Sequence, residues 1–149
     1  MKTLRWVPFL VLLVVAGAAG QQPTTESGAT VRSVATVRQL HDAMTIPASD
    51  AVFNTGREAP RTDQQWTAVR NAAVQLTESG NLLMIGSRVK DKGAWMKLSR
   101  ALVDAGAVAL EAIDAKNMAA LSDAGDRILL ACATCHESYR DKRRKTPAR

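Results

Sequence analysis

MAALSDAGDRILLACATCHESYR, residues 118–140, advances in steps of three and four: Met118, Leu121, Gly125, Ile128, Cys132, Cys135 and Tyr139 share one face. That spacing marks an amphipathic α-helix. Both cysteines of the 149-residue chain lie on this face. Three further seams lie upstream. Trp95, Leu98, Leu102, Ala105, Ala109 and Ala112 form one, and Trp66, Val69, Ala73, Leu76, Gly80 and Leu83 another, opened by a capping box of Thr62 with Gln65. Gly80 is expected to break or kink that helix. The first seam is Val34, Val37, His41, Met44, Ala48 and Ala51; Pro47 stands in its path, so a kink or break is expected there.

The stretches between the seams, NTGREAPRT (54–62), GSRVKDKG (86–93) and DAKN (114–117), are short. Short connections make neighbouring helices antiparallel. No stretch alternates with period two for long enough to make a strand, and no internal repeat is present. The expectation is an all-α, antiparallel four-helix bundle over residues 31–144.

The N-terminus has another purpose. Lys2 and Arg5 precede an apolar run from Trp6 to Val15, and the small residues AGAAG follow. A basic region, an apolar core and a cleavage zone make a signal peptide over 1–20, cut between Gly20 and Gln21. The apolar run is too short for a permanent membrane anchor, and no cysteine stands at the cut to carry a lipid. Residues 21–30, QQPTTESGAT, read as a flexible leader. The mature chain is expected in the periplasm with no membrane span. Losing Lys2 and Arg5, and no acid, takes the formal net charge from +6 to about +4. Few aromatics and no basic stripe among them argue against nucleic acid as a partner.

CATCH, residues 132–136, carries the chemistry. C-x-x-C-H is the attachment pattern of c-type haem. Residues i and i+3 of a helix share a face, so Cys132 and Cys135 can each reach one vinyl group of a single porphyrin edge, and His136 can bind the iron. Rival uses fit less well. Structural zinc asks for four ligands, and outside the motif only His41 remains among the strong candidates. A redox dithiol wants its first cysteine at a helix N-terminus, whereas this seam runs three turns upstream of Cys132. A structural disulfide suits an exported chain but gives the adjacent His136 no reason to be there.

A four-helix chain with C-x-x-C-H in its last helix, followed by an aromatic and a basic residue as in CATCHESYR, resembles the class II c-type cytochromes, the group of cytochrome c-prime and its low-spin relatives. The resemblance covers residues 31–144. It implies one covalently bound haem c near the C-terminal helix, with Cys132 and Cys135 as thioether attachments and His136 as an axial ligand of the iron. It places Arg140 at the family's basic position near the proximal pocket, and implies periplasmic redox partners and a homodimer through the first two helices.

In that family helix one supplies the residue facing the open side of the haem: a methionine in electron carriers, an apolar residue in five-coordinate members. Here the first seam offers His41 and Met44, one turn apart, as candidate sixth ligands. The family's arginine four residues before the methionine is absent, since Arg38 precedes Met44 by six. The leading expectation is an electron carrier that turns over no substrate; the alternative is a five-coordinate haem module binding nitric oxide or carbon monoxide.

The basic tail RDKRRKTPAR, residues 140–149, reads either as a solvated helix end or as a docking site for an acidic partner. Docking through Lys142, Arg143, Arg144 and Lys145 should make reduction by that partner slow steeply with added salt, because exposed charges are screened beyond about 10 Å at 0.1 M ionic strength. A salt-independent rate in stopped-flow measurements would leave the tail as a solvated helix end.

Overall fold

Four helical arms follow one another along the chain, and each returns beside the one before it. The computed structural model describes residues 32–140; the expected signal peptide (1–20), the expected leader (21–30) and residues 141–149 of the tail lie outside them. The first arm is α1 (Val37–Leu40), a π-turn (His41–Thr45) and α2 (Ile46–Asn54), with helical backbone angles carried through both junctions. Then come α3 (Asp63–Leu83), α4 (Ala94–Asp114) and α5 (Met118–Tyr139), with a 3₁₀ turn (Gly86–Arg88) between α3 and α4. The described residues contain no strand. None of their helices is long and apolar enough to cross a membrane.

Cross-links between opposite ends give the directions. Lys116, just past α4, reaches Asp63 at the start of α3 at 2.6 Å, and Arg70 reaches Asp114 at 2.7 Å. The Trp95 indole at the start of α4 donates to the Leu83 carbonyl at the end of α3, at 2.8 Å, and packs edge-on against Tyr139 at the end of α5, with centroids 4.9 Å apart. Ser33, ahead of α1, donates to the Ile85 carbonyl beyond α3. The neighbouring arms are therefore antiparallel.

Local signals account for the helix starts. Thr36 with Gln39 and Thr62 with Gln65 form complete capping boxes, and Asn117 caps α5 through the amide of Ala120. The seams of α3 and α4 bury as their spacing requires, with Ala73, Leu76, Leu83, Leu102, Ala105 and Ala109 inside. The main core joins them to Ala48 and Val52 of α2 and to Leu121, Ala124, Ile128 and Ala131 of α5. Full burial of a leucine or isoleucine contributes about 1.5–3 kcal/mol, which makes Leu76, Leu121 and Ile128 the principal anchors.

Two expectations need correction. Gly80 does not break α3, which runs unbroken from Asp63 to Leu83. Gly80 is there for contact: a Cβ on it would lie 2.8 Å from the Val103 side chain and 3.3 Å from the Ser99 carbonyl oxygen. Gly106 answers from α4, where a Cβ would meet Thr77 Oγ1 at 2.2 Å and Thr77 Cα at 3.2 Å. Close approach of α3 and α4 needs both glycines.

The first arm also departs from its expected face. Val34 is 85 % exposed and Ala51 is exposed, while Leu40, Thr45, Ala48, Val52 and Thr55 are buried. The step of five from Leu40 to Thr45 is the π-turn. Pro47 has no N–H, and in an α-helix its ring would press on the carbonyl four residues back. The chain answers by widening one turn, with Ile46 N–H reaching the His41 carbonyl, and no break occurs.

A second, smaller core closes the end of the bundle that carries CATCH: Leu40, Leu83 and Trp95, with Val37, Met44, Leu82, Val89, Met96 and Tyr139 packed on them. Asp91 fastens it. One carboxylate oxygen accepts from the amides of Gly93 and Trp95 and so caps α4, and the other accepts from the Tyr139 hydroxyl. The same bond holds Asp91 below the usual carboxylate range and pushes the Tyr139 hydroxyl up to about 12.

Two measurements test this packing. Gly106→Ala should destabilise the protein by about 1–2 kcal/mol in a urea melt, the overpacking against Thr77 outweighing the better helix propensity of alanine. Tyr139 is the sole tyrosine, so the tyrosinate absorbance of the folded protein reports it alone, and its midpoint should lie near 12. The folded pKa exceeds the unfolded one, so the contribution of this bond is complete below about pH 10 and fades as pH rises through 12. Asp91→Asn should return the midpoint toward 10.

Candidate functional site

The cavity that collects the chemistry-bearing residues lies among the first arm, α4 and α5, and has a volume of about 210 Å³. Its walls are mostly apolar: Ile46, Phe53, Leu83, Leu98, Leu102 and Ala131. Cys132, Cys135 and His136 line it from α5, and His41 and Thr45 from the π-turn.

On α5 the buried line is Leu121, Ala124, Ile128 and Ala131. Cys132 and Cys135 are half-buried on its flank, facing the cavity, and both are free thiols. Burial pushes both thiols up, Cys132 further helped by the neighbouring Cys135. A nucleophilic dithiol needs the opposite shift, and α5 begins at Met118, nearly four turns before Cys132. His136 stands at the rim. Partial burial, with His41 and Arg140 nearby, holds its imidazole below the ordinary histidine value and favours the neutral, lone-pair-bearing form.

His41 faces it. The two imidazole centroids are 6.3 Å apart, with their planes inclined at 41°. His41 Nδ1 lies 2.9 Å from the Val37 carbonyl oxygen. A carbonyl only accepts, so Nδ1 carries a proton, and in the neutral ring the lone pair belongs to Nε2. A backbone carbonyl holding the far ring N–H is the usual support of a metal-binding histidine.

These donors suit a haem iron. An imidazole nitrogen sits about 2 Å from the metal it binds and about 1 Å from its own ring centre, so two imidazoles on opposite sides of one ion have centres about 6 Å apart. The observed 6.3 Å matches that span. A tetrahedral zinc cage is a different arrangement, and among the described residues no three His, Cys, Asp or Glu side chains converge to form one.

The other candidates lie elsewhere. Met44 packs in the second core against the Leu40, Leu83 and Trp95 group and does not line the cavity. Arg140 is exposed at the C-cap of α5, outside the cavity lining, and acts on His136 through its charge. Trp95 belongs to the second core, and Trp66 packs on the main one.

Some contributors were not visible in the sequence. Ser99 is 1 % exposed, lines the cavity, and has a hydroxyl with no partner among the described residues. Phe53 and Ile46, both partly exposed apolar residues, form the α2 wall. Each sits off the three-and-four seam from which its helix was read. Asp91 had a signal: an acid three residues before Ala94, where an α4 cap would stand.

Comparison with protein-family models, curated proteins and solved structures finds no match for this chain, so its functional reading rests on the chemistry of the site.

Proposed function

We propose that this protein is a periplasmic electron carrier of the class II c-type cytochrome kind, holding one haem c through Cys132 and Cys135 with His136 and His41 as the two axial ligands. The observation that carries the reading is the pair of imidazoles lining one cavity from different arms, with centroids 6.3 Å apart and the Nδ1 of His41 committed to the Val37 carbonyl.

The cysteines would attach the group by adding each thiol S–H across a vinyl double bond, sulfur bonding one carbon and hydrogen the other. Their i, i+3 spacing on an unbroken helix matches two attachment points on one edge. When bound, the haem supplies a one-electron couple at its iron. The chain's residues do the rest. His136 and His41 would supply the ligand nitrogens, and the Val37 carbonyl holds the Nδ1 proton of His41. Leu83, Leu98, Leu102 and Phe53 keep water from the buried side.

The cavity, at about 210 Å³, is smaller than the roughly 300–1,000 Å³ of pockets that enclose a drug-sized ligand. A macrocycle seated there keeps an edge in solvent, which suits electron exchange with a docked partner. Were His136 and His41 both to bind the iron, no open coordination site would remain for substrate or gas. This favours the carrier over a module for nitric oxide or carbon monoxide. The partner class is a periplasmic redox protein, with an acidic face if the basic tail docks it.

The test is the ferric protein's optical and magnetic spectrum after export in a host that matures c-type cytochromes. Expected is haem that survives acid–acetone extraction and low-spin iron without the far-red band of a thioether ligand. The potential should lie below that of histidine–methionine ligation, since a thioether favours ferrous iron. His41→Ala should give high-spin iron, and Met44→Ala should leave the spectrum unchanged. Extractable haem would end the reading, and five-coordinate high-spin iron in the parent would turn it toward gas binding.

A further inference from the structure

The first arm presents two possible ligands one turn apart, and the backbone between them departs from the α-helix at that point. We propose that the π-turn His41–Thr45, imposed by Pro47, selects which of them faces His136, and that Pro47 is therefore a positioning residue for the sixth ligand. The proposal rests on the haem reading above.

A straight α-helix turns about 100° per residue, so a residue seven before Ala48 points within about 20° of the same direction. That residue is His41. Without the π-turn, in phase with Ala48 and Val52, its imidazole would aim inward, into the place that Leu40 fills in the second core. The extra residue gives that inward place to Leu40, which is 4 % exposed, and swings His41 by about 100° onto the flank that borders the cavity. The chain gains in both places: an apolar side chain fills the core, and a polar ring leaves it. Met44 stays in the second core.

Three contacts hold the turn. Pro47 offers no N–H to the Ala43 carbonyl, which removes the α-helical bond that would compete. Ile46 N–H reaches the His41 carbonyl instead, the bond of a π-turn. Thr45, carried inward by the extra residue, donates from Oγ1 to Ser79 Oγ at 3.1 Å, and Ser79 donates on to the Leu76 carbonyl at 2.7 Å. Both hydroxyls are buried, so releasing the turn would leave them without this partnership. Isolated π-turns within α-helices occur frequently at functional sites.

The test compares the parent holoprotein with a variant lacking Ala43, which removes the extra residue, and with Pro47→Ala, which restores the amide. Readouts are covalent haem content, the ferric spectrum and the affinity of ferric iron for cyanide, which competes with the sixth ligand. Deleting Ala43 should keep covalent haem but abolish the bis-imidazole spectrum, giving high-spin iron or a thioether band. Pro47→Ala should weaken the His41 bond and so raise cyanide affinity about tenfold, toward the value of His41→Ala. If the deletion variant does not accumulate, Pro47→Ala decides alone. A parent with bis-imidazole haem whose Pro47→Ala variant matches it in spectrum and cyanide affinity overturns the role of Pro47 and leaves the haem reading standing. A bis-imidazole spectrum retained after deletion overturns the role of the turn. A parent with covalent haem and a thioether band overturns this proposal and the His41 assignment together, and a parent without covalent haem removes the reading beneath both.

Discussion

The amide that Pro47 lacks is the constraint on which the site end of the bundle depends. A helix that cannot make the bond from residue 47 to residue 43 must kink, break or widen, and here it widens by one residue. The consequences run in two directions. Downstream, Ala48 and Val52 reach the main core; upstream, Leu40 reaches the second one. Between them, His41 faces the cavity and Thr45 finds Ser79. One missing N–H thus decides the side-chain directions of a whole arm.

The rest of the scaffold keeps that arm in place through close contact more than through charge. The Gly80 and Gly106 crossing lets α3 and α4 approach closely, and the exposed pairs Arg70–Asp114 and Lys116–Asp63 add little, since solvent screens them. Arg88 is an exception of another kind. Its side chain is buried, and its guanidinium donates to the carbonyls of Leu82 and Ala35. It therefore ties the turn after α3 to the chain entering α1, next to the helix that bears His41. Asp91 performs the matching task at the other side of the second core, joining the start of α4 to the end of α5. The cavity lies against this cross-linked end, where its walls are least free to drift.

Much of this was legible in the sequence because much of it is local. A three-and-four period over two dozen residues reads the same whether or not the partner helices are known, so α3, α4 and α5 fall where their seams put them, and so does the capping box of α3. CATCH on α5 is likewise a statement about neighbours in the chain: two thiols three apart and an imidazole beside them. Gly80 misled because the intrinsic penalty of glycine in a helix is also local, and here close packing against Val103 and Ser99 overrides it. Val34 misled because the first arm becomes helical only after its cap at Thr36, and Ala51 because a period carried across Pro47 assumes that the helix does not change its pitch.

The sequence by itself therefore determined an all-helical chain of four arms with C-x-x-C-H on the cavity flank of the last, since helix period and motif spacing are properties of consecutive residues. Tertiary structure alone decided which residue of the first arm looks across at His136. His41 and Met44 both lie on the seam of a straight helix, and only the widened turn, held by buried Thr45 and Ser79 on different arms, turns one toward α5 and leaves the other among Leu40, Leu83 and Trp95. That choice depends on a bond between side chains 34 residues apart, a distance over which no periodicity along the chain carries information.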